Sequence, residues 1–545
     1  MSEILSAAAP AAPDAAPLLS IRDLSVQLPG GADRPFAVQG LSLDVMRDEI
    51  LCVVGESGSG KSVTASTILR LLPPALQVTQ GQVSFDGLDL MALQPHELRR
   101  IRGARIGMIF QDPMTALNPL HRIGDQIGET FRLHTTLPRE AIRAKTLDLL
   151  ERMRLPDPAR AAQAYPHELS GGQRQRAMIA MALALEPDLL IADEPTTALD
   201  VTTQSQILAL IRELQQRNRM GVMFITHDFG VVAEIGTRIA VMRHGRLVEQ
   251  GPAREVLSRP REAYTRALIA AVPSLVPPAA KPVAHPRPAL IIRNVSKTYR
   301  RGGRVTAALQ DVSLTLTRGT TLGIVGESGS GKSTLARCIV RLLEADSGSI
   351  EFEGENLLAL TKAAWRAKVA RIQMVFQDPY TSLNPRRRVG DLVTQGAILH
   401  GLPRAQAYAR ARELFSLVGL DPEAIERYPH EFSGGQRQRI GLARALALDP
   451  YILVADEPVS ALDVSVQAQV LELLASLRDR LGLSVVFITH DLRVAAQVCD
   501  RVAIMQGGRL VEEGAAADVL SSPKADYSKA LLAAVPGRNW QSGLA

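Results

Sequence analysis

Short apolar runs alternate with longer stretches of helical spacing along the whole chain. Glu49–Val54, Leu189–Ala192 and Val222–Ile225 are short runs dominated by apolar residues and predict buried strands. Ala141–Arg152 has apolar residues at helical spacing, and a second helix is predicted from Lys61 to about Leu72. Strands that alternate with helices predict an α/β fold in which helices cover a mostly parallel sheet.

The pattern occurs twice in the chain. GESGSGKS begins at Gly55 and again at Gly326, and SGGQRQR begins at Ser170 and again at Ser433, a spacing of 433 − 170 = 263 residues. A repeat of this length is too long for a solenoid and indicates two copies of one domain. We therefore predict a disordered N-terminus at 1–17, domains at 18–272 and 289–536, a Pro-rich linker at 273–288 and a tail at 537–545.

Composition narrows the class of protein. Of the 545 residues, 46% are hydrophobic and 22% are charged, and the net charge of +6 gives no reason to expect a nucleic-acid partner. Three cysteines are too few for a disulfide framework or a four-ligand zinc site, and they predict buried thiols. No uninterrupted apolar run predicts a membrane span, and the N-terminus lacks the pattern of a signal peptide.

A glycine-rich loop follows the first predicted strand of the parallel sheet in each copy. Gly55–Ser62 and Gly326–Ser333 match the phosphate-binding P-loop, in which backbone N–H groups and a helix N-terminus face the phosphates. Lys61 and Lys332 would reach the β- and γ-phosphates of ATP, and the serine after each lysine would ligate Mg²⁺. The predicted nucleotide contacts are Gly55, Ser57, Gly58, Gly60, Lys61, Ser62 and Val63 in the first copy and Gly326, Ser328, Gly329, Gly331, Lys332, Ser333 and Thr334 in the second.

Two acidic residues end a later apolar run in each copy. Asp193 and Asp456 are placed to hold Mg²⁺ through water. Glu194 and Glu457 follow directly and are candidate general bases that polarise the attacking water. An Asp-Glu pair alone more often marks a solvated strand end, so the prediction depends on the apolar run and on the P-loop upstream.

Taken together, these motifs resemble those of the ATP-binding cassette proteins. Leu169–Gln173 and Phe432–Gln436 are similar to the signature motif of that family and lie 23 residues before the aspartates (193 − 170 and 456 − 433). The resemblance implies further nucleotide contacts by the signature motifs, at Ser170, Gly171, Gly172, Gln173, Ser433, Gly434, Gly435 and Gln436.

The resemblance also implies metal contacts by the Q-loop glutamines Gln111 and Gln377, in addition to Ser62, Asp193, Ser333 and Asp456. His227 and His490 would be the catalytic switch histidines, and the D-loops would lie at Ala198–Asp200 and Ala461–Asp463.

The resemblance covers about residues 18–536 and implies two tandem P-loop nucleotide-binding domains. Each would have a RecA-like core, an antiparallel β subdomain and a helical subdomain. In the family, the signature motif of one domain caps the ATP of the other. One ATP is therefore expected between Gly55–Ser62 and Ser433–Gln436, and the second between Gly326–Ser333 and Ser170–Gln173.

Further segments resemble the importers of peptides and nickel within that family. Phe110–Pro119 and Phe376–Pro385 are similar to their Q-loop segments, and Glu262–Pro273 and Ala525–Pro536 to a segment that follows their cassettes. The resemblance implies a fused pair of ATPase subunits of a bacterial importer for di- or oligopeptides or a peptide-like solute such as glutathione. Such a protein lies at the cytoplasmic face of the inner membrane, with two permease subunits and, indirectly, a solute-binding protein as partners.

Departures from the subfamily pattern add two expectations. Several members carry a cysteine cluster for an iron–sulfur centre, and because neither copy has a cysteine there, no cluster is expected. The aromatic residue that stacks on adenine lies 27 residues before the P-loop. Tyr299 has this position in the second copy (326 − 27), whereas Leu28 has it in the first (55 − 27).

Two other functions remain as alternatives. A soluble tandem-cassette ATPase of translation or DNA repair would have a long charged linker or zinc fingers, whereas this chain has a short Pro-rich linker and three cysteines. An exporter ATPase on a single chain usually carries its own membrane spans, which this sequence does not predict. The resemblance implies that separate subunits select the transported solute.

Overall fold

The computed structural model of the chain describes residues 16–196, 199–278, 287–301, 304–378, 382–460, 462–538 and 540, with the side chains of 301 and 304 excluded. The chain divides into two compact units, 1–198 with 206–269 and 199–205 with 270–545. Several predicted segments lie wholly or partly outside the described residues: most of the disordered N-terminus, half of the linker, most of the tail, and Ala198 and Ala461 of the D-loops. The predicted domain bounds therefore stay predictions.

The first unit contains two sheets. The antiparallel sheet has the order β2-β1-β4-β5 and consists of β1 (Leu19–Gln27), β2 (Phe36–Val45), β4 (Gln77–Phe85) and β5 (Leu88–Asp89). The larger sheet has the order β10-β9-β3-β8-β7-β6 and consists of β3 (Ile50–Val54), β6 (Ile106–Ile109), β7 (Leu189–Asp193), β8 (Gly221–Ile225), β9 (Arg238–Arg243) and β10 (Arg246–Pro252). Its described pairs are parallel except for β9 with β10.

Helices connect these strands. In chain order they are α1 (Lys61–Ile68), α2 (Pro95–Ile101), α3 (Pro113–Ala116), α4 (Ile123–His134), α5 (Arg139–Arg152), α6 (Pro158–Gln163), α7 (Gly171–Ala182), α8 (Val201–Asn218), α9 (Phe229–Ile235), α10 (Ala253–Ser258) and α11 (Ala263–Ala270), with a 3₁₀ turn at Pro166–Glu168.

The second unit repeats both sheets in the same strand order. The antiparallel sheet, β12-β11-β14-β15, consists of β11 (Pro288–Arg301), β12 (Arg304–Thr317), β14 (Ser347–Phe352) and β15 (Glu355–Asn356). The mostly parallel sheet, β16-β17-β18-β13-β19-β20, consists of β13 (Thr321–Val325), β16 (Ile372–Val375), β17 (Ile452–Asp456), β18 (Ser484–Thr489), β19 (Arg501–Gln506) and β20 (Arg509–Ala515).

Helices again connect the strands of the second unit. They are α12 (Lys332–Ile339), α13 (Lys362–Lys368), α14 (Val389–Leu399), α15 (Arg404–Leu417), α16 (Gly434–Leu446), α17 (Val464–Leu481), α18 (Leu492–Val498), α19 (Ala516–Ser521) and α20 (Asp526–Ala533), with 3₁₀ turns at Leu357–Ala359, Val369–Arg371, Pro422–Glu426 and Pro429–Glu431.

The apolar runs of the sequence became the central strands. Every residue of β3, β7 and β8 is buried, as is expected for strands that are covered by helices on both faces. The predicted helix at Ala141–Arg152 lies within α5. The α/β prediction and the mostly parallel sheet are therefore confirmed.

The helix predicted from Lys61 to about Leu72 is too long. It ends at Ile68, and Leu69 is its C-cap residue. Arg70 then has a positive φ of 51°, and Pro73 and Pro74 follow. A left-handed residue followed by prolines cannot continue a helix, although the leucines at 69, 71 and 72 keep the sequence apolar.

A helical segment separates the Q-loop glutamine from the signature motif in both units. Between Gln111 and Ser170 lie α3 to α6, and between Gln377 and Ser433 lie α14 and α15. This agrees with the helical subdomain that the resemblance implies. Within the described ranges, no helix is both long enough and apolar enough to span a bilayer. All three cysteines are buried, as predicted.

Phe224 on β8 gives a test of the buried core. Its side chain is fully buried, so Phe224→Ala leaves a cavity and should lower the free energy of unfolding by about 3–5 kcal/mol. Scanning calorimetry of the purified protein should show a lower midpoint for one thermal transition. Leu133→Ala is the matched control, because Leu133 is 72% exposed. Equal midpoints for the two variants would contradict the assigned core.

Candidate nucleotide site

The first P-loop lies between β3 and α1, and its lysine folds back onto it. Lys61 Nζ donates to the carbonyl oxygens of Gly55 at 2.7 Å and Glu56 at 2.9 Å and lies 3.3 Å from Ser59 Oγ. Gly55 has a φ of +152°, and a Cβ there would lie 2.2 Å from the carbonyl oxygen of Met242. Only glycine fits this turn, which explains why the motif begins with that residue.

The second P-loop, between β13 and α12, has the same geometry. Lys332 Nζ donates to the carbonyls of Gly326 at 2.8 Å and Glu327 at 2.7 Å. A Cβ on Gly326 would lie 2.2 Å from Met505 O. Burial lowers the pKa of Lys332, although nearby carboxylates oppose the shift. The loop therefore holds a poorly hydrated ammonium group whose hydrogen bonds are to groups of the loop itself.

The serine after each lysine meets the aspartate at the end of a neighbouring strand. Ser62 Oγ donates to Asp193 Oδ1 at 3.0 Å, and Ser333 Oγ donates to Asp456 Oδ1 at 3.0 Å. Burial raises the pKa of Asp193 to about 6, with a further rise from the charge of Glu194, and burial also raises the pKa of Asp456. A nearby cation would favour the charged form of these carboxylates.

Glu194 begins the turn after β7. Its φ of +46° is left-handed, and its N–H donates to the carbonyl of Ile225 at 3.0 Å, so the backbone of β8 fixes it. Gln111 Nε2 donates to Glu194 Oε2 at 3.1 Å, and His227 Nδ1 lies 3.4 Å from the same oxygen. The structure thus brings together three residues that belong to separate motifs of the sequence.

The corresponding glutamate of the second unit has the same neighbours. Gln377 Nε2 donates to Glu457 Oε2 at 2.8 Å, and His490 Nδ1 lies 3.2 Å from it. Burial alone would raise the pKa of Glu457, but the hydrogen bond and charge of His490, together with Lys332, hold it below its ordinary value. Burial likewise opposes protonation of His490, but Glu457 raises the pKa of His490. Glu457 is therefore held in its ionised form, and it stabilises the protonated form of the neighbouring His490.

Each signature motif begins a helix and caps it. Ser170 precedes α7, where its Oγ accepts from the N–H of Gln173 at 3.3 Å and its own N–H donates to Gln173 Oε1 at 3.0 Å. Ser433 and Gln436 form the same pair before α16. This reciprocal capping box uses the serine and the glutamine of the motif and leaves other N–H groups at the helix N-terminus for an anion.

The two residues predicted to meet adenine lie in different local surroundings. Tyr299 on β11 is 40% exposed, whereas Leu28 follows β1 and donates its N–H to Pro35 O at 2.9 Å. Sequence reasoning missed Arg34, which lies in the same connection as Leu28. Its guanidinium donates to the carbonyl of Gly58 in the P-loop. No spacing rule in the sequence could have found this contact.

Two further contacts were also missed. Gln175, five residues after Ser170, donates through Nε2 to the carbonyl of Pro195 at 2.6 Å and so joins the signature helix to the turn that holds Glu194. Tyr264 on α11 contacts the P-loop. The sequence contains one indication of a role for Tyr264, because the segment around this residue follows both copies of the domain.

The residues present fit ATP and Mg²⁺. The loop holds a lysine ammonium group, a glycine turn and a helix N-terminus, which together suit a polyphosphate. Within the described residues, no group of three His, Cys, Asp or Glu side chains could hold a metal ion alone. One hydroxyl and one carboxylate suit Mg²⁺, which takes its other ligands from phosphates and water. The individual roles assigned to these residues stay predictions.

Known proteins match both cassettes. The sequence model of the family ABC transporter matches residues 38–197 and 309–460, and that of the family Oligopeptide/dipeptide transporter, C-terminal region, matches 248–297. A peptidoglycan transport ATP-binding protein, YejF, of Agrobacterium fabrum is 47% identical over 95% of this chain and 96% of its own. The glutathione import ATP-binding protein GsiA of Escherichia coli K12 is 45% identical over 96% of this chain and 90% of its own.

A protein of known structure is also similar to this chain. It is described as a post-hydrolysis state of the ATP-binding cassette MJ0796 bound to ADP and Pi, is 30% identical, and covers 42% of this chain and 98% of its own with a TM-score of 0.39. The two cassette matches, and relatives that align along nearly the full length, define the family. The chain belongs to the ABC transporter family.

Proposed function

We propose that the protein is the ATP-hydrolysing subunit of a bacterial importer for peptides or a peptide-like solute. The observation that supports ATP hydrolysis most directly is the same set of contacts in both units. In each, a buried P-loop lysine, a serine–aspartate pair and a glutamate with glutamine and histidine neighbours are all present.

The P-loop residues would bind the nucleotide. Lys61 and Lys332 would exchange their backbone carbonyl partners for the β- and γ-phosphates. The Ser62–Asp193 and Ser333–Asp456 pairs would hold Mg²⁺, which supplies positive charge beside the phosphates. The capping of each ATP by the signature motif of the other cassette stays a prediction.

Glu194 and Glu457 would accept a proton from the attacking water. The low pKa of Glu457 keeps this carboxylate ionised and able to orient a water molecule. His490 and His227, which lie within 3.2–3.4 Å of the carboxylates, would hold the glutamate and stabilise charge on the transferred phosphoryl group.

Import of a peptide-like solute is the part of the proposal that rests on the relatives. Those reported above are named as transport or import ATP-binding proteins, and the match at 248–297 is to an oligopeptide and dipeptide transporter region. We infer that two permease subunits, a separate solute-binding protein and the cytoplasmic face of the membrane complete the system.

Removal of the proposed base gives the first test of ATP hydrolysis. Glu194→Gln and Glu457→Gln should each lower the rate, and the double variant should lose about 10²–10⁴-fold in kcat while it still binds ATP. A phosphate-release assay and nucleotide titration measure the two quantities. Glu213→Gln on α8, where Glu213 is exposed, is the matched control. A double variant with the wild-type rate would show that the base is a different group.

Coupling to a permease can be tested at the Q-loop segment. Met114 on α3 is 50% exposed, and Met114→Asp should lower solute uptake by about tenfold while ATP hydrolysis by the isolated protein stays unchanged. Leu88→Asp on β5, at 44% exposure, is the control. Half of the corresponding second segment, Tyr380–Leu383, lies outside the described residues.

Two results would count against this docking. Uptake that falls equally in both variants would point to a general loss of solubility. Cell fractionation with the permeases co-expressed is the second check, and a purely cytosolic protein would exclude a permease partner at Met114–Leu117.

The two ATP sites should differ in affinity. Tyr299 can stack on adenine and Leu28 cannot, and the difference should be about tenfold. Lys332→Ala leaves the Leu28 site and Lys61→Ala leaves the Tyr299 site, so titration of these two proteins measures each site alone. Leu28→Tyr should then tighten the first site, and Tyr299→Leu should weaken the second.

Phe36 at the start of β2 offers the alternative ring for the first site. If Phe36 supplied that ring, the two single-site proteins would bind ATP equally well and Leu28→Tyr would change nothing. That outcome would refute the predicted inequality.

A further inference from the structure

The segment that follows the core sheet in each unit carries a tyrosine that meets the P-loop. Tyr264 lies on α11, and its Oη accepts from the N–H of Glu56 at 3.3 Å and donates to Glu56 Oε2 at 3.3 Å. In the second unit, Tyr527 on α20 accepts from the N–H of Glu327 at 3.3 Å. The same contact is therefore present twice.

The residue that meets the tyrosine also meets the P-loop lysine. The carbonyl of Glu56 accepts from Lys61 Nζ at 2.9 Å, and that of Glu327 accepts from Lys332 Nζ at 2.7 Å. The N–H and the C=O of one residue thus have separate partners. A shift of this residue would move the acceptor that sets the resting position of the lysine.

The helix that carries the tyrosine is fixed to the sheet by a carboxylate. Glu249 on β10 accepts from the N–H groups of Arg261 at 2.8 Å and Glu262 at 3.2 Å, which directly precede α11. Burial would raise the pKa of Glu249, but the hydrogen bonds from these two N–H groups and the charge of Arg261 hold it below its ordinary value.

The second unit repeats this anchor. Glu512 on β20 accepts from the N–H groups of Lys524 at 2.8 Å and Ala525 at 3.1 Å, just before α20. A carboxylate at a helix N-terminus is favourable for the helix and sets its entry point. In each unit, the carboxylate thus fixes the helix so that its tyrosine hydroxyl has a defined position beside the P-loop.

We propose that Tyr264 and Tyr527 are positioning residues that hold the first turn of each P-loop, and that Glu249 and Glu512 act through them. The inference rests on the proposed function, since it assigns the loops to ATP. It gives the segment matched as an oligopeptide and dipeptide transporter region, which contains Glu249 and Tyr264, a direct role at the nucleotide site.

Removal of the hydroxyl alone tests the proposal. Tyr264→Phe is made with Lys332→Ala, and Tyr527→Phe with Lys61→Ala, so that each protein reports on one site. Loss of one hydrogen bond should weaken ATP binding and raise KM by about 3- to 10-fold, with kcat within about twofold. Tyr408→Phe is the control, because Tyr408 also bonds a carboxylate, that of Asp391, on another part of the chain.

A second readout needs no nucleotide. Hydrogen exchange of the loop peptide, 326–331 in the second unit, should accelerate in Tyr527→Phe while the core strands stay protected. Glu512→Gln should weaken ATP binding when Tyr527 is present and add little in the Tyr527→Phe protein, because both changes act through one contact.

The outcomes distinguish a failure of the positioning role from a failure of the proposed ATP site. This inference alone would be overturned if the Phe variants kept the same ATP affinity and the same hydrogen exchange in the loop. It would also be overturned if they had a lower melting temperature and faster hydrogen exchange throughout the unit. Additive effects of Glu512→Gln and Tyr527→Phe would remove the role of the anchor. Nucleotide binding that survives Lys61→Ala combined with Lys332→Ala would instead overturn the assignment of the P-loops to ATP.

Discussion

A buried ammonium group needs acceptors around it, and this requirement organises each P-loop. Lys61 and Lys332 are both only 5% exposed, so water cannot hydrate them fully. The loop supplies carbonyls of its own backbone, which only a glycine turn can aim inward. The loop is therefore shaped around a cation that can exchange backbone acceptors for phosphate oxygens.

The parallel sheet brings the negative groups to the same place. The P-loop follows β3, and Asp193 ends β7, so both lie at the carboxyl edge of one sheet. Loops at that edge converge in open α/β sheets, and ligands bind there. The hydrogen bond of Asp193 to Ser62 results from this topology, although 131 residues separate the two in the chain.

Motifs with a local physical cause could be predicted from the sequence, and contacts that depend on packing could not. The strands follow from the apolar runs, and the P-loop turn follows from its glycines. The end of α1 was missed because the leucines after Ile68 keep the pattern apolar while Arg70 adopts a left-handed conformation. The contact of Tyr264 with Glu56 spans 208 residues and has no periodic signal.

The two units show which contacts the loop requires, because their surroundings have different sequences. An arginine, Arg243, lies 4.7 Å over the ring of Tyr264, whereas Gln506 ends the corresponding strand of the second unit. Arg444 donates to the carbonyl of Ser382 beside the second Q-loop at 2.7 Å, and the corresponding residue of α7 is a methionine. The lysine–carbonyl, serine–aspartate and tyrosine–loop bonds persist through these differences. Contacts that stay when their neighbours change define the geometry that both loops share, whereas contacts that differ can make the two sites unequal.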